Sequence, residues 1–207
     1  VFILSKTSEC MILVTGGLGR VGSNLVNALL QKKFFVRIFE RKAVAARQRK
    51  NLEIFYGDIA KKEDCERAMK GIHIVYHLAA IVDYLAPKKL VYDVNVNGTR
   101  NIVEAAKKVG AKIIYLSSTA VMGKKLPHLP ANEKTGCRPT DYYGQTKLEA
   151  EKIVREAGGI SIRSVDIMGP GFEEGYHAKV EKISKGKMQI IGEGKNLIQY
   201  IHISDLI

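Results

Sequence analysis

Tyr143 and Lys147 stand four residues apart in Tyr143-Gly144-Gln145-Thr146-Lys147, a spacing that sets a phenol and an ammonium on one face of a helix. A nearby positive charge stabilises phenolate and draws the tyrosine pKa down from about 10. A phenol tuned this way takes or gives a proton in general acid–base chemistry. The spacing alone is weak, because a chain with 9 tyrosines and many lysines matches it by chance. A second match, Tyr84-x-x-x-Lys88, contains Pro87 and is not expected to be helical. Upstream, Ser117-Ser118-Thr119 closes an apolar run. A hydroxyl there can hold a reacting oxygen beside Tyr143, although serines also end strands simply because they make turns.

The second constellation is Thr15-Gly16-Gly17-Leu18-Gly19-Arg20-Val21-Gly22, which follows one apolar run and opens a helical pattern. Gly16 permits a sharp turn, Gly19 lets a diphosphate approach the backbone, and Gly22 lets helix and strand pack closely. The N–H groups of the first turn, Arg20, Val21 and Gly22, and the positive end of the helix then face phosphate oxygens. Strand, glycine turn and helix in this order point to a dinucleotide. With a nicotinamide cation beside Tyr143, the phenol would exchange a proton as hydride moves.

Other residues fit around such a ligand. Glu40 closes the next apolar run, roughly twenty residues on, where an acid binds the adenosine ribose hydroxyls and repels a 2′-phosphate. That favours NAD, whereas the adjacent Arg41 would pair with the phosphate of NADP. Gly57-Asp58-Ile59 closes the third strand, over the adenine. Asp58 either accepts from the exocyclic amine, with Ile59 against the ring, or starts the helix that follows. His77-Leu78-Ala79-Ala80 places small residues where a cofactor approaches, with His77 itself expected to be a satisfied core histidine. Asn95 and Asn97-Gly98 are costly inside a helix. Asn95 therefore has a buried polar task, holding backbone or a water near Lys147, or else the helix bends there.

These residues need a frame. Apolar runs at Met11–Val14, Phe34–Phe39, Leu52–Tyr56, Ile72–Leu78, Lys112–Ser117 and Ile160–Arg163 read as strands. Helical patterns lie between them, around Val21–Leu30, Lys61–Lys70, Leu90–Val109 and Asp141–Glu156, with Gly110 ending the third. Strands alternating with helices predict an α/β fold, a doubly wound parallel sheet covered on both faces. The reading divides the chain into an extension at 1–10, a nucleotide-binding domain at 11–165 and a smaller region at 166–207, where Gly169-Pro170-Gly171, Gly186, Gly192 and Gly194 loosen the pattern.

Composition narrows the function classes. At 46% hydrophobic and 26% charged residues the chain is an ordinary globular sequence, not a disordered or collagenous one. It has no apolar run long enough for a spanning helix, so no membrane partner is expected. Cys10, Cys65 and Cys137 form no CxxC pair, which predicts reduced thiols in a cytoplasmic protein and no metal site. Lys+Arg 33 against Asp+Glu 21 leaves +12. The densest stretch, Lys32 to Lys50, interleaves few aromatics, so a basic surface near an anionic cofactor is expected rather than a nucleic-acid groove.

Taken together, residues 15–22, Gly57-Asp58-Ile59, His77-Leu78-Ala79-Ala80, Asn95-Val96-Asn97-Gly98-Thr99, Ser117-Ser118, Tyr143-x-x-x-Lys147 and Gly169-Pro170-Gly171 resemble the extended short-chain dehydrogenase/reductases, in the NAD-dependent epimerase/dehydratase branch. The resemblance implies a Rossmann fold with a small, incomplete C-terminal substrate lobe. It implies Tyr143 as the proton-transfer residue, Lys147 as its partner and ribose ligand, Ser118 as the catalytic hydroxyl and Asn95 as the family asparagine. It further implies a small-molecule substrate, foremost a nucleotide sugar, and a homodimer. A hydroxysteroid or ketone dehydrogenase, or a non-catalytic NAD(P)-binding module, are the alternatives. The chain departs from the family pattern at Met122 and Ser164, and relatives continue beyond its final His-x-x-Asp-Leu, so part of the substrate lobe is expected to be missing.

Overall fold

The computed structural model describes residues 10–41, 49–124, 126, 129–172, 178–190, 192–195 and 197–207. The extension read at 1–10, apart from Cys10, and the basic residues Lys42 and Arg47 fall outside the described residues. Two compact units are present, Val1–Arg163 and Ser164–Ile207.

The first unit is built on six strands: β1 (Met11–Thr15), β2 (Phe35–Glu40), β3 (Leu52–Tyr56), β4 (Ile74–His77), β5 (Lys112–Ser118) and β6 (Ile160–Ser164). Their order is β3-β2-β1-β4-β5-β6, the doubly wound arrangement expected. The pairs run parallel, for example Ile12 beside Val36 on one side and Ile74 on the other. The strand order reverses between β1 and β4, and ligands of such sheets bind outside the carboxyl ends of the strands at that point.

The unbroken apolar run of β1 has a direct cause. Leu13 faces a core shared with Cys65, Ala68, Ile102, Ala106 and Val154, while Ile12 and Val14 face Leu25, Val26 and Leu29. Both faces of the strand are covered, so no position is left for a polar residue. Each such side chain contributes about 1.5–3 kcal/mol of transfer free energy. The covering helices are α1 (Arg20–Gln31) on one face and α2 (Lys62–Ala68), α4 (Thr99–Val109) and α5 (Tyr142–Glu156) on the other. Burial also pushes the Cys65 thiol up to about 12, which makes it a packing residue.

The long helix expected from Leu90 is not uniform. α3 (Lys88–Tyr92) passes into a π-helical turn at Asp93–Gly98 and then into α4. Gly98 lies against Ile59, and a Cβ there would meet Ile59 Cδ1 at 2.8 Å. α4 ends at Gly110 with φ +71, as its position predicts. Pro87 precedes α3 and Tyr84 lies in a turn, so Tyr84 and Lys88 share no helix.

The second unit pairs β7 (Asp166–Met168) with β8 (Tyr200–His202) in parallel and carries α6 (Ala178–Ser184) and α7 (Ile203–Leu206). Gly169, at φ +119, lets its backbone lie against His202, whose Nε2 a Cβ would meet at 2.7 Å. Among the described residues no helix is long and apolar enough to cross a membrane.

Candidate functional site

The turn between β1 and α1 is shaped by its glycines. Gly16 sits at φ +68, a conformation that L side chains rarely adopt, and its N–H donates to Phe39 O at 3.3 Å. Ala79 closes over it, with its Cα 3.1 Å from where a Cβ would stand. Gly22 is more constrained, since a Cβ there would lie 2.1 Å from Gly16 O. Gly19 begins α1 in an extended conformation, without a side-chain cap, and the first turn of α1 contains no acidic residue. Such a helix start offers N–H donors and a positive dipole end to an anion. A dinucleotide diphosphate fits this cradle, which any side chain at Gly22 would close.

Glu40 closes β2 beside that cradle, and its Oε1 accepts from Leu18 N–H at 2.8 Å. That bond fixes one carboxylate oxygen at the mouth of the glycine turn. Arg41, the next residue, is exposed. Asp58 accepts from Ala60 N–H at 2.9 Å, while its own N–H donates to Asp64 Oδ2 at 2.8 Å. Its side chain thus closes the turn before α2, whose N-cap is Lys61. Ile59 is buried in the core against Gly98. Leu78 and Ala79 donate their N–H groups to Thr15 Oγ1, and Ala80 follows them past the mouth of the turn.

At the carboxyl end of β5 the chain folds into a short 3-10 turn, Thr119–Met122, with Ser118 as its cap. Ser118 Oγ accepts from Ala120 N–H at 3.1 Å, and its hydrogen bond with the Tyr143 hydroxyl opposes the rise of that phenol. α5 begins nearby because Asp141 accepts from Gly144 N–H at 2.7 Å. Gly144 is a residue that sequence reasoning missed: a Cβ there would stand 2.7 Å from Ala120 O, so only glycine lets α5 approach the Ser118 turn.

Tyr143 and Lys147 occupy successive turns of α5, as their spacing predicts. Their electrostatics differ from the expectation. The Tyr143 phenol is pushed up to about 12 by burial, with Tyr84 adding to the rise and Ser118 opposing it. The Lys147 ammonium does not act on it directly. Nζ donates to Leu116 O at 2.7 Å and stands 4.1 Å from the centre of the Tyr115 ring. Burial at 2% exposure pulls Lys147 down to about 7, and Glu151 one turn on opposes the fall. Glu151 is held in turn by Arg163, with Nε at 3.0 Å and Nη2 at 2.9 Å. Ser117 Oγ and Tyr115 Oη are buried without a hydrogen-bond partner among the described residues. Tyr115 and Glu151 gave no signal in the sequence, because neither belongs to a local motif.

Asn95 is 1% exposed. Its Oδ1 accepts from Ile81 N–H at 2.8 Å, and its Nδ2 donates to Ile81 O and to Thr146 Oγ1, each at 3.1 Å. It therefore holds backbone, one of the two tasks expected of it, and fastens the irregular segment after β4 to α5.

The lysine carries a testable pH dependence. Lys147 titrates near 7 in the folded chain, against an ordinary 10.5. Between those values the unfolded chain holds the extra proton, so stability rises with pH across that window. The unfolding free energy of the wild type should climb relative to Lys147→Met by about 1 kcal/mol per pH unit above neutrality. Denaturant titrations of both proteins at several pH values check this, and parallel curves would contradict it.

Comparison with known proteins places these features. The model of the NAD dependent epimerase/dehydratase family matches residues 12–207. A sterol-4-alpha-carboxylate 3-dehydrogenase, decarboxylating, from Bos taurus is 30% identical over 215 residues, covering 99% of this chain and 59% of its own length. A 3 beta-hydroxysteroid dehydrogenase/Delta 5-->4-isomerase from Mycobacterium tuberculosis is 31% identical over 204 residues, covering 90% and 55%. Among solved structures, a Bacillus anthracis dTDP-glucose 4,6-dehydratase in complex with NAD is similar at TM-score 0.80 and 25% identity, over 95% of this chain and 69% of that one. Bordetella bronchiseptica WbmG in complex with NAD shares the fold at TM-score 0.85 and 22% identity, over 99% and 68%. The chain spans less than two thirds of the length of these curated relatives.

Proposed function

Because the chain belongs to the NAD-dependent epimerase/dehydratase family, we propose that it binds NAD and acts on a secondary alcohol, with Tyr143 exchanging the hydroxyl proton. The observation that carries the reading is the meeting of Ser118, Tyr143 and Lys147 at the carboxyl end of β5 and the start of α5. Bound NAD supplies the acceptor for the hydride that leaves the carbinol carbon with its electron pair. Gly16, Gly19 and Gly22 with the start of α1 hold the diphosphate, Glu40 the ribose hydroxyls, and Lys147 the nicotinamide-side ribose. Ser118 orients the reacting oxygen beside the phenol, and Tyr143 takes the alcohol proton or returns it. This complete set argues against a non-catalytic binding module.

The substrate class favoured is a 3-hydroxysteroid. Curated relatives at 30% and 31% identity are a sterol dehydrogenase and a hydroxysteroid dehydrogenase. The segment beside Tyr143 also suits an apolar alcohol: Val82, Tyr84 and Leu85 are 58%, 68% and 94% exposed, and the Tyr84 ring lies edge-on to Tyr143 at 6.1 Å. A nucleotide sugar is the second reading, supported by the likeness to the dTDP-glucose dehydratase.

The test is calorimetric titration with NAD and NADP, followed by NADH absorbance with a 3β-hydroxysteroid and, separately, chromatography of the products formed from UDP-glucose or dTDP-glucose, whose conversion leaves no net NADH. NAD should bind at least about tenfold more tightly than NADP, because Glu40 meets the 2′-phosphate. NADH should accumulate with the steroid. Binding of neither dinucleotide would overturn the reading, and conversion of the sugar nucleotide alone would replace the substrate class.

A further inference from the structure

His77 is fully buried at the carboxyl end of β4. Its Nδ1 lies 2.7 Å from Thr15 Oγ1, and its Nε2 lies 2.9 Å from Thr99 Oγ1. The neighbouring bonds determine where each proton sits. Thr15 Oγ1 already accepts from the N–H groups of Leu78 and Ala79, both at 3.1 Å. Its single proton is therefore donated to Nδ1, which must be the bare nitrogen. Nε2 carries the ring proton and donates it to Thr99 Oγ1. Thr99 in turn donates to Asn95 O at 2.6 Å. Burial, with the charge of Lys147 adding to it, holds the imidazole neutral down to about pH 3, so the direction of the chain does not reverse at working pH.

Beyond Asn95 the connection continues. The Asn95 amide fastens Ile81 and donates to Thr146 Oγ1, which donates to Tyr143 O at 2.8 Å. Two runs of hydrogen bonds thus meet at Asn95: one leads from the residue before the glycine turn to the Asn95 carbonyl, the other from the Asn95 side-chain amide to the backbone of Tyr143. The His77 ring also stacks on Tyr115, at 5.5 Å and 28°, the same ring that Lys147 Nζ stands over. His77 is the one member of the chain that spans from Thr15 on β1 to Thr99 on α4.

We propose that His77 is a positioning residue: as the neutral Nε2–H tautomer it holds Thr99 and, through the Asn95 frame, sets where α5 presents the Tyr143 phenol. The proposal rests on reading Tyr143 as the proton-exchange residue. It also separates the two halves of the imidazole. Glutamine can supply an N–H near the Nε2 position and keep the bond to Thr99. Asparagine can supply an acceptor near Nδ1 and keep only the bond from Thr15. Leucine keeps neither.

The experiment compares His77→Gln, His77→Asn and His77→Leu in the full chain by two readouts. The first is kcat for NADH formation from a 3β-hydroxysteroid, normalised to NAD-binding stoichiometry so that unfolded protein is not counted. H77N and H77L should lose about tenfold or more, with KM for NAD little changed, and H77Q should recover to within about threefold of wild type. The second is ultraviolet titration of the phenol, as a difference against Tyr143→Phe, which needs no substrate. In H77N and H77L the Tyr143 transition should move down toward the ordinary tyrosine range as water reaches the ring, and in H77Q it should stay near wild type. The same Tyr143 transition in all four proteins would overturn the proposal, as would a normalised kcat that is equal in the three variants. Wild-type protein that binds no NAD would instead defeat the functional reading, and the phenol titration would still decide the place of His77.

Discussion

Tyr143→Phe is expected to lower kcat at least about a hundredfold while leaving NAD affinity within about threefold of wild type, because it removes a proton-transfer group and little else. The phenol is half-buried, and that burial holds its pKa up at about 12. At neutral pH it is therefore protonated, ready to donate to a carbonyl but not to accept from an alcohol. The two directions of reaction should consequently differ in pH dependence. Carbonyl reduction should be nearly flat around neutrality. Alcohol oxidation should rise with pH, as the fraction of phenolate grows, until the phenolate fraction saturates. Positive charge on the oxidised nicotinamide and a proton donated by Ser118 both favour phenolate and shift that saturation to lower pH. Initial rates in both directions for wild type and Y143F, across neutral to alkaline pH, check this. Turnover that survives in Y143F, or an oxidation rate independent of pH, would contradict it.

That result would also bear on Lys147. Its ammonium donates to Leu116 O and stands over the face of Tyr115. In a buried site a lysine near pKa 7 is only partly charged, so the simple picture of an ammonium lowering the phenol by direct attraction does not describe this arrangement. Lys147 instead braces the strand that carries Ser117 and Ser118, while Glu151 and Arg163 brace the helix that carries Lys147.

The frame was legible in the sequence because its causes are local and repeat. A strand buried on both faces needs an unbroken apolar run, and β1 has one. Helices commonly end on a left-handed residue, and Gly110 is where α4 stops. The pairing of Tyr143 with Lys147 on one helix is likewise a matter of spacing. The remainder depends on contacts between residues distant in sequence. The π-helical turn at Asp93–Gly98 follows Asn95 reaching Ile81 and Thr146, and propensity signals only that something there is costly. Thr15, Thr99 and Tyr115 are ordinary strand and helix residues whose tasks exist only once β1, β4, α4 and β5 are assembled. The effect of Lys147 on Tyr143 escapes the sequence for the same reason: helical spacing says that two side chains share a face, not that one points its charge at the other.

The second large effect concerns Gly22. A methyl group there would stand 2.1 Å from Gly16 O, 2.7 Å from Gly17 Cα and 2.9 Å from Gly16 C. All three are backbone atoms, so no side chain can rotate away. The turn itself cannot retreat easily either. Gly16 is held by its bond to Phe39 O and lies under Ala79. A Cβ at Gly17 would already meet Ile38 at 2.8 Å, so no space is left toward β2. Gly22→Ala must therefore lever the start of α1 off the turn. Overpacking of this kind costs about 1–3 kcal/mol of stability. The displaced N–H groups no longer converge on one anion, so NAD affinity should fall by about a hundredfold or more. Gly19→Ala separates the two effects. Gly19 lies at φ −71 and its Cβ would meet only Gly16 O, at 3.1 Å. Stability should fall by less than about 1 kcal/mol there, while the added methyl occupies the approach that a diphosphate needs and affinity still drops at least about tenfold. Calorimetric NAD titrations and denaturant melts of the two variants give both quantities. If Gly22→Ala bound NAD as the wild type does, the start of α1 would not be the diphosphate seat, and the roles assigned to Ser118, Tyr143 and Lys147 would lose the ligand they are arranged around.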